Sequence, residues 1–262
     1  MIFHGQSVTQ GAKDGVQFCI QVVIPSLFPY FFLCDILTTS MTGRWSLCLT
    51  GFLGGYPAGA QAIATACADG EINKKQAEYM LPYFNNAGPA FIFGVLSQLF
   101  RRWYIPLIIW TIHLVSVIPV YLCFHQNYSL KQITCKGKEP SINKSLQTAT
   151  KSIVIVCGWV FLFRTVLSVT SNSVFANIST GISVVVSGLL ELTNGCYALF
   201  DVTSEPFCFI VSTTLIGFGG LCVTMQTRSI AGGIGIRPYV VGKLLHASTS
   251  FLISGVVSKI LF

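Results

Sequence analysis

The sequence predicts an all-α polytopic membrane protein made of two inverted repeats, each with a re-entrant helical hairpin and a broken transmembrane helix. Three observations carry this. First, 52% of the 262 residues are hydrophobic and only 10% are charged, with a mean hydropathy of +0.68, whereas soluble domains carry about 25% charged residues. Second, the apolar runs recur in one order on both sides of a single polar stretch, and the same runs are interrupted each time. Third, the basic residues stand between apolar runs, where they act as topology signals.

The first apolar run, Gly15 to Thr39, is long enough to span despite Pro25 and Pro29. The second, Trp45 to Ala68, holds GFLGGYPAGA in its middle, and the third, Tyr79 to Phe100, is interrupted by FNNAGP. Tyr104 to Phe124 reads as an uninterrupted span. Residues His125 to Lys151 form a basic linker. Beyond it Ser152 to Thr170 is a span, Gly181 to Phe200 breaks at ELTNG, Pro206 to Gln226 breaks at GFGG, and Tyr239 to Phe262 closes the chain. The expected units are an N-terminal repeat over 1–124, a cytoplasmic linker over 125–151 and a C-terminal repeat over 152–262.

Orientation follows from charge. With the linker in the cytoplasm and runs two and six dipping in and returning, Arg44, Lys74, Lys75, Lys131, Lys136, Lys138, Lys144, Lys151, Arg228, Arg237 and Lys243 fall inside, against Lys13, Arg101, Arg102 and Lys259 outside. The two hairpins then enter from opposite faces, which is the geometry of alternating-access carriers. This arrangement leaves the N-terminus outside, which one more span before Met1 would normalise. The first fifteen residues lack the features of a secretory signal.

Chain that is not helical at membrane depth survives only against protein or a water-filled cavity, so each break marks a candidate site. At the first, Gly55, Tyr56, Pro57, Gly59 and Gln61 present free N–H groups and a half-helix N-terminus to a polar solute, unless the glycines serve only close helix packing. At the second, the carboxamides of Asn85 and Asn86 precede Gly88 and Pro89, and either bind solute or satisfy the broken helix. Glu191, Thr193, Asn194 and Gly195 form the third, with a carboxylate in an apolar run. Arg164, in a span, is its candidate charge partner or part of an anion site. Gly219, Gly220, Thr224 and Gln226 form the fourth. His113 and His246 are single histidines on apolar segments, read first as packing residues, with proton coupling as the alternative.

The ten cysteines are scattered without a CxxC pair and read as reduced small hydrophobes. No Walker A loop, HExxH, Ser-His-Asp order or zinc spacing is present. The sequence thus points away from an enzyme, and no cofactor, metal or nucleic-acid partner is expected. The expected partners are a small-molecule solute and the lipid bilayer, and a homo-oligomer stays open.

GFLGGYPAGA, DGEINKKQAEYML and FNNAGPAFIFG, followed by CGWVFLF, GLLELTNG, GFGGLCVTMQ and RPYVVGKLLHA, resemble in order the motifs of the YlbJ/SpoVV sporulation integral membrane proteins, which carry the Gate or nucleoside-recognition domain. The resemblance covers nearly the whole chain. It implies a fold like the concentrative nucleoside transporters, with hairpins and broken helices meeting around a central solute. For the SpoVV branch it implies import of dipicolinic acid into the forespore across the outer forespore membrane. It further implies that the chain begins at the second span of longer relatives, and it assigns nothing to Arg164. The alternatives are a nucleoside or other polar metabolite carrier and a non-transport membrane scaffold for spore assembly.

Overall fold

The computed structural model describes residues 5–40, 44–125, 139, 141–171 and 178–262, and those residues are helical with no strand among them. Lys131, Lys136 and Lys138 of the linker lie outside the described residues. Among the described residues, five helical stretches are long and apolar enough to cross a membrane: Gly5–Leu37, Tyr104–Phe124, Ile142–Thr170, Glu205–Ala231 and Arg237–Leu261. Their outward faces carry exposed Ile20, Leu33, Leu122, Val154, Leu162, Leu252 and Ile260. Apolar surface of that extent is stable against lipid rather than water.

The first span begins earlier than the apolar run. α1 (Gly5–Phe18) continues through a π turn (Cys19–Val23) into α2 (Ile24–Ser40) as one rod. Pro25 has no N–H to donate, and the chain widens just before it, where the Ile24 N–H bonds the Cys19 carbonyl. The polar first turns are helical because they pack on α9 (Ile142–Ser171), where Ser168 Oγ donates to the Ser7 carbonyl at 2.9 Å. α9 likewise starts ten residues before the expected span, within the stretch read from sequence as linker.

The interrupted runs fold as helix pairs. α3 (Arg44–Leu49) and a π turn (Thr50–Gly54) lead to a break at Gly55–Pro57, then α4 (Ala58–Ala68). α5 (Lys74–Phe84) starts at a capping box in which Asn73 Oδ1 accepts from Gln76 N–H at 2.9 Å while Gln76 Oε1 accepts from Asn73 N–H at 2.8 Å. It ends at Asn85, and after 85–88 the chain resumes as α6 (Pro89–Phe91), a π turn (Ile92–Leu96) and α7 (Ser97–Leu99), followed by α8 (Tyr104–Phe124). Pro89 sits in the first turn of α6, where its missing N–H costs nothing.

In the second half, α10 (Thr180–Leu190) and α11 (Leu192–Ala198) flank Glu191. α12 (Glu205–Phe218) and α13 (Gly220–Ala231) flank Gly219, and α14 (Arg237–Leu261) closes the chain. The α12–α13 break is a double left-handed turn, with φ of +83° at Gly219 and +82° at Gly220, which side chains other than glycine rarely adopt. α14 packs against α5, α8 and α12, while α9 packs against α1, α2 and α13. The breaks lie inside these layers.

Candidate functional site

The breaks touch one another. Gly55, at φ +75°, lies against Gly88 so closely that a Cβ on Gly88 would fall 2.9 Å from the Gly55 Cα. A Cβ on Gly220 would meet the Leu192 nitrogen at 3.2 Å, which joins the third and fourth breaks. The halves are then joined by Tyr56. Its hydroxyl donates to the Ile216 carbonyl at 3.3 Å, and its ring covers Gly219. Ile216 lies in the last turn of α12, where carbonyls lack intrahelical donors.

Asn85 and Asn86 are both fully buried and do different work. Asn85 Oδ1 accepts from the Ala60 N–H in the first turn of α4 at 3.2 Å, and its Nδ2 donates to Thr227 Oγ1 at 2.9 Å and to the Tyr239 hydroxyl at 3.3 Å. One carboxamide thus ties α4 and the α5 break to α13 and α14. Asn86 Nδ2 donates to the Tyr83 carbonyl at 2.7 Å, which leaves its Oδ1 to accept from Lys243 Nζ at 2.8 Å.

Lys243 is the residue sequence reasoning missed. It was counted as a cytoplasmic topology charge, yet it has 0% exposure, in the second turn of α14. Its ammonium lies 5.1 Å from the Tyr56 ring centroid and 5.5 Å from that of Tyr239. Burial of an ionisable residue in an apolar helix is the signal that would have found it. Removing it from the inside count leaves the basic majority on the linker side unchanged.

At the third break Glu191, 2% exposed, is the N-cap of α11. Its Oε1 accepts from the Thr193 N–H at 3.0 Å and its Oε2 from the Asn194 N–H at 2.6 Å. Those N–H groups are therefore occupied within the chain, as is that of Ala60 in the half-helix N-terminus expected to face solute at the first break. Gly195 touches Gly188 across the α10–α11 turn, where a Cβ would fall 2.1 Å from the Gly188 Cα. Arg164 lies in the field of Glu191 but makes no ion pair with it. Its guanidinium carbon sits 3.6 Å from the Phe18 ring centroid, and its Nε is buried without a partner.

The remaining expected residues are peripheral to the junction. Thr224 Oγ1 donates to the Gly220 carbonyl at 3.1 Å, and Gln226 Nε2 to Cys222 Sγ at 3.3 Å. Gln61 Oε1 accepts from Ser152 Oγ at 3.4 Å and lines a cavity of about 190 Å³ between α2, α4 and α9. That cavity reaches from Glu139, Lys144 and Asp69 to Thr50 and Ala58, beside the first break. Pro57, joined to Tyr56 by a cis peptide, caps the start of α4. The described cysteines are free thiols.

A helical membrane protein whose first two helix breaks meet its last span at a buried lysine is the class these features define. The chain is similar to the sporulation integral membrane protein YlbJ of Bacillus subtilis (strain 168), 22% identical over 313 aligned positions that cover 94% of this chain and 76% of that protein. This similarity supports the family resemblance carried by the motifs. No protein-family model and no solved structure matches the chain.

Proposed function

We propose that the chain is an alternating-access carrier of a small anionic solute, with dipicolinic acid moved into the forespore during sporulation as its task. The observation that supports an anion is Lys243. Its ammonium has three donors, one of them goes to Asn86 Oδ1, and among the described residues no carboxylate pairs with it. A carboxylate of the solute would add charge-assisted hydrogen bonds where the protein supplies none.

In this reading the order long, broken, broken, long is one repeat used twice in opposite orientation. Residues 44–68 and 180–201 are the re-entrant hairpins, and the linker faces the cytoplasm. Buried breaks in corresponding positions of two halves support a carrier. The name of the Bacillus relative supports a role in sporulation, and the motif resemblance supports dipicolinate.

Binding of dipicolinate and of a nucleoside panel to the purified full chain, run in parallel, tests the reading. Dipicolinate is expected to bind, and Lys243→Met to weaken that binding. Nucleoside binding that dipicolinate does not displace would replace the anion with a neutral solute, and no binding of either would favour a membrane scaffold.

A further inference from the structure

Two helices face each other across polar atoms that have no partners. His113 on α8 and His246 on α14 are completely buried, and their rings stack with centroids 4.5 Å apart at 26°. His246 Nε2 lies 3.0 Å from the His113 carbonyl oxygen, which makes it the donor and leaves Nδ1 an acceptor. That Nδ1, both ring nitrogens of His113 and the hydroxyls of Ser116 and Ser250 are buried without a hydrogen bond. Buried polar groups are otherwise almost always paired, because leaving them unpaired costs free energy. Packing alone would be served better by apolar side chains of the same size.

The rings lie next to the ammonium. Lys243 precedes His246 by three residues and so shares its helix face, and it is the charged group in electrostatic reach of both rings. The other helices packed on α8 and α14, which are α12 and α5, bring no titratable group to the rings. Gly217 of α12 instead lets α14 approach, since a Cβ there would meet Ser250 Oγ at 2.9 Å and the His246 carbonyl at 3.2 Å. Tyr56 and Tyr239 are the other titratable groups beside Lys243, and they present ring faces.

From this arrangement we infer that the stacked His113–His246 pair is the binding site for a proton co-transported with the anionic solute, an inference that rests on the Lys243 reading above. With the anion site empty, a charge on either ring would be fully buried against the other ring and in the field of Lys243, so both rings are neutral. A bound dianion supplies the missing negative charge. One unpartnered ring nitrogen then accepts a proton from hydronium, which leaves as water, and an N–H bond is all that forms. Dianion, ammonium and one imidazolium together are neutral, the cheapest charge state to carry across a low-dielectric layer. On the far side the anion departs and the proton returns to water. Proton and anion tighten one another's binding by the same factor.

Calorimetry of dipicolinate binding to the purified full chain, in two buffers of different ionisation enthalpy and at pH values where dipicolinate is a dianion, counts the protons taken up. The expected result is uptake approaching one proton per anion, with affinity falling by up to about tenfold per pH unit. In the His113→Gln, His246→Gln double variant both the uptake and the pH dependence are lost. Dipicolinate bound without proton uptake by the unaltered chain, or uptake retained by the double variant, overturns the inference and leaves the anion site standing. Absence of dipicolinate binding overturns both. Should the double variant fail to fold, the unaltered chain in vesicles decides: a proton gradient drives dipicolinate accumulation, or the inference is wrong.

Discussion

Lys243 Nζ and Asn86 Oδ1 lie 2.8 Å apart, and this contact joins a helix break of the first half to the last span of the second. Asn86 is held for the task because its Nδ2 is bonded to the Tyr83 carbonyl of its own helix. The oxygen is thereby aimed at α14. Asn86 supplies a neutral oxygen, so the pairing brings no opposite charge to the lysine.

Replacement of Lys243 by Met separates binding from stability. The variant removes a charge whose burial costs several kcal/mol, but leaves Asn86 Oδ1 without a partner at a cost of about 1–3 kcal/mol. The thermal midpoint in detergent is expected to be unchanged or raised. Dipicolinate affinity is expected to fall by roughly 10- to 100-fold, the worth of a hydrogen bond to a charged group. A lower midpoint with unchanged affinity would assign Lys243 to structure.

Asn85 is expected to behave in the opposite way. Asn85→Ala removes bonds to Ala60, Thr227 and Tyr239 together and opens a small cavity, so a loss of about 2–4 kcal/mol follows. Thr227→Val removes one of those partners and is expected to cost about 1 kcal/mol. Unfolding of both single variants and the double variant gives the coupling, which is expected to be non-zero because the two residues share a bond.

Glu191 is predicted to act as a cap. Glu191→Gln retains a side-chain oxygen for the Thr193 or Asn194 N–H and should hold the thermal midpoint near its starting value. Glu191→Ala retains neither and is expected to cost about 0.5–2 kcal/mol. Equal destabilisation by both would show that the carboxylate's charge, in the field of Arg164, outweighs its capping bonds.

Where the chain breaks was legible in the sequence, because glycine, proline and adjacent carboxamides are costly inside an apolar helix and leave a visible mark. What each break does was not. The half-helix N-terminus of α4 was expected to face solute, but Asn85 occupies an N–H group in its first turn, as Glu191 does in that of α11. That occupancy depends on which side chain folds back across a break, a tertiary matter that spacing does not encode. Lys243 was misplaced because a lone lysine early in the last apolar run reads equally as a flanking charge and as a buried one. The rotation of α14 decides it: Lys243 shares a buried polar stripe with His246, Ser250, Ser254 and Ser258, while Leu244, Phe251, Leu252 and Val256 face outward. The helical starts of α1 and α9 escape notice for a related reason: the polar first turns of α1 pack on the last turns of α9, where Ser168 bonds Ser7, and those of α9 pack on the end of α2, where Ser145 bonds Asp35.

The glycine that packs the first break offers a test of the fold itself. A Cβ on Gly59 would fall 2.1 Å from the Phe84 carbonyl oxygen and 2.9 Å from the Asn85 Cα, both backbone atoms that cannot swing aside. Gly59→Ala must therefore push α4 away from the end of α5 and lengthen the Asn85–Ala60 bond. A loss of about 1–3 kcal/mol is expected, the usual cost of overpacking, with the lost bond added. Gly94 is the matched control, since it lies in the π turn after the second break with nothing within 4 Å of a built Cβ. Gly94→Ala should leave stability unchanged or raise it by about 0.5–1 kcal/mol through the lower entropy of the unfolded chain. Thermal unfolding of the two variants side by side reads the difference. Equal midpoints would mean that α4 and α5 do not meet backbone to backbone at this glycine.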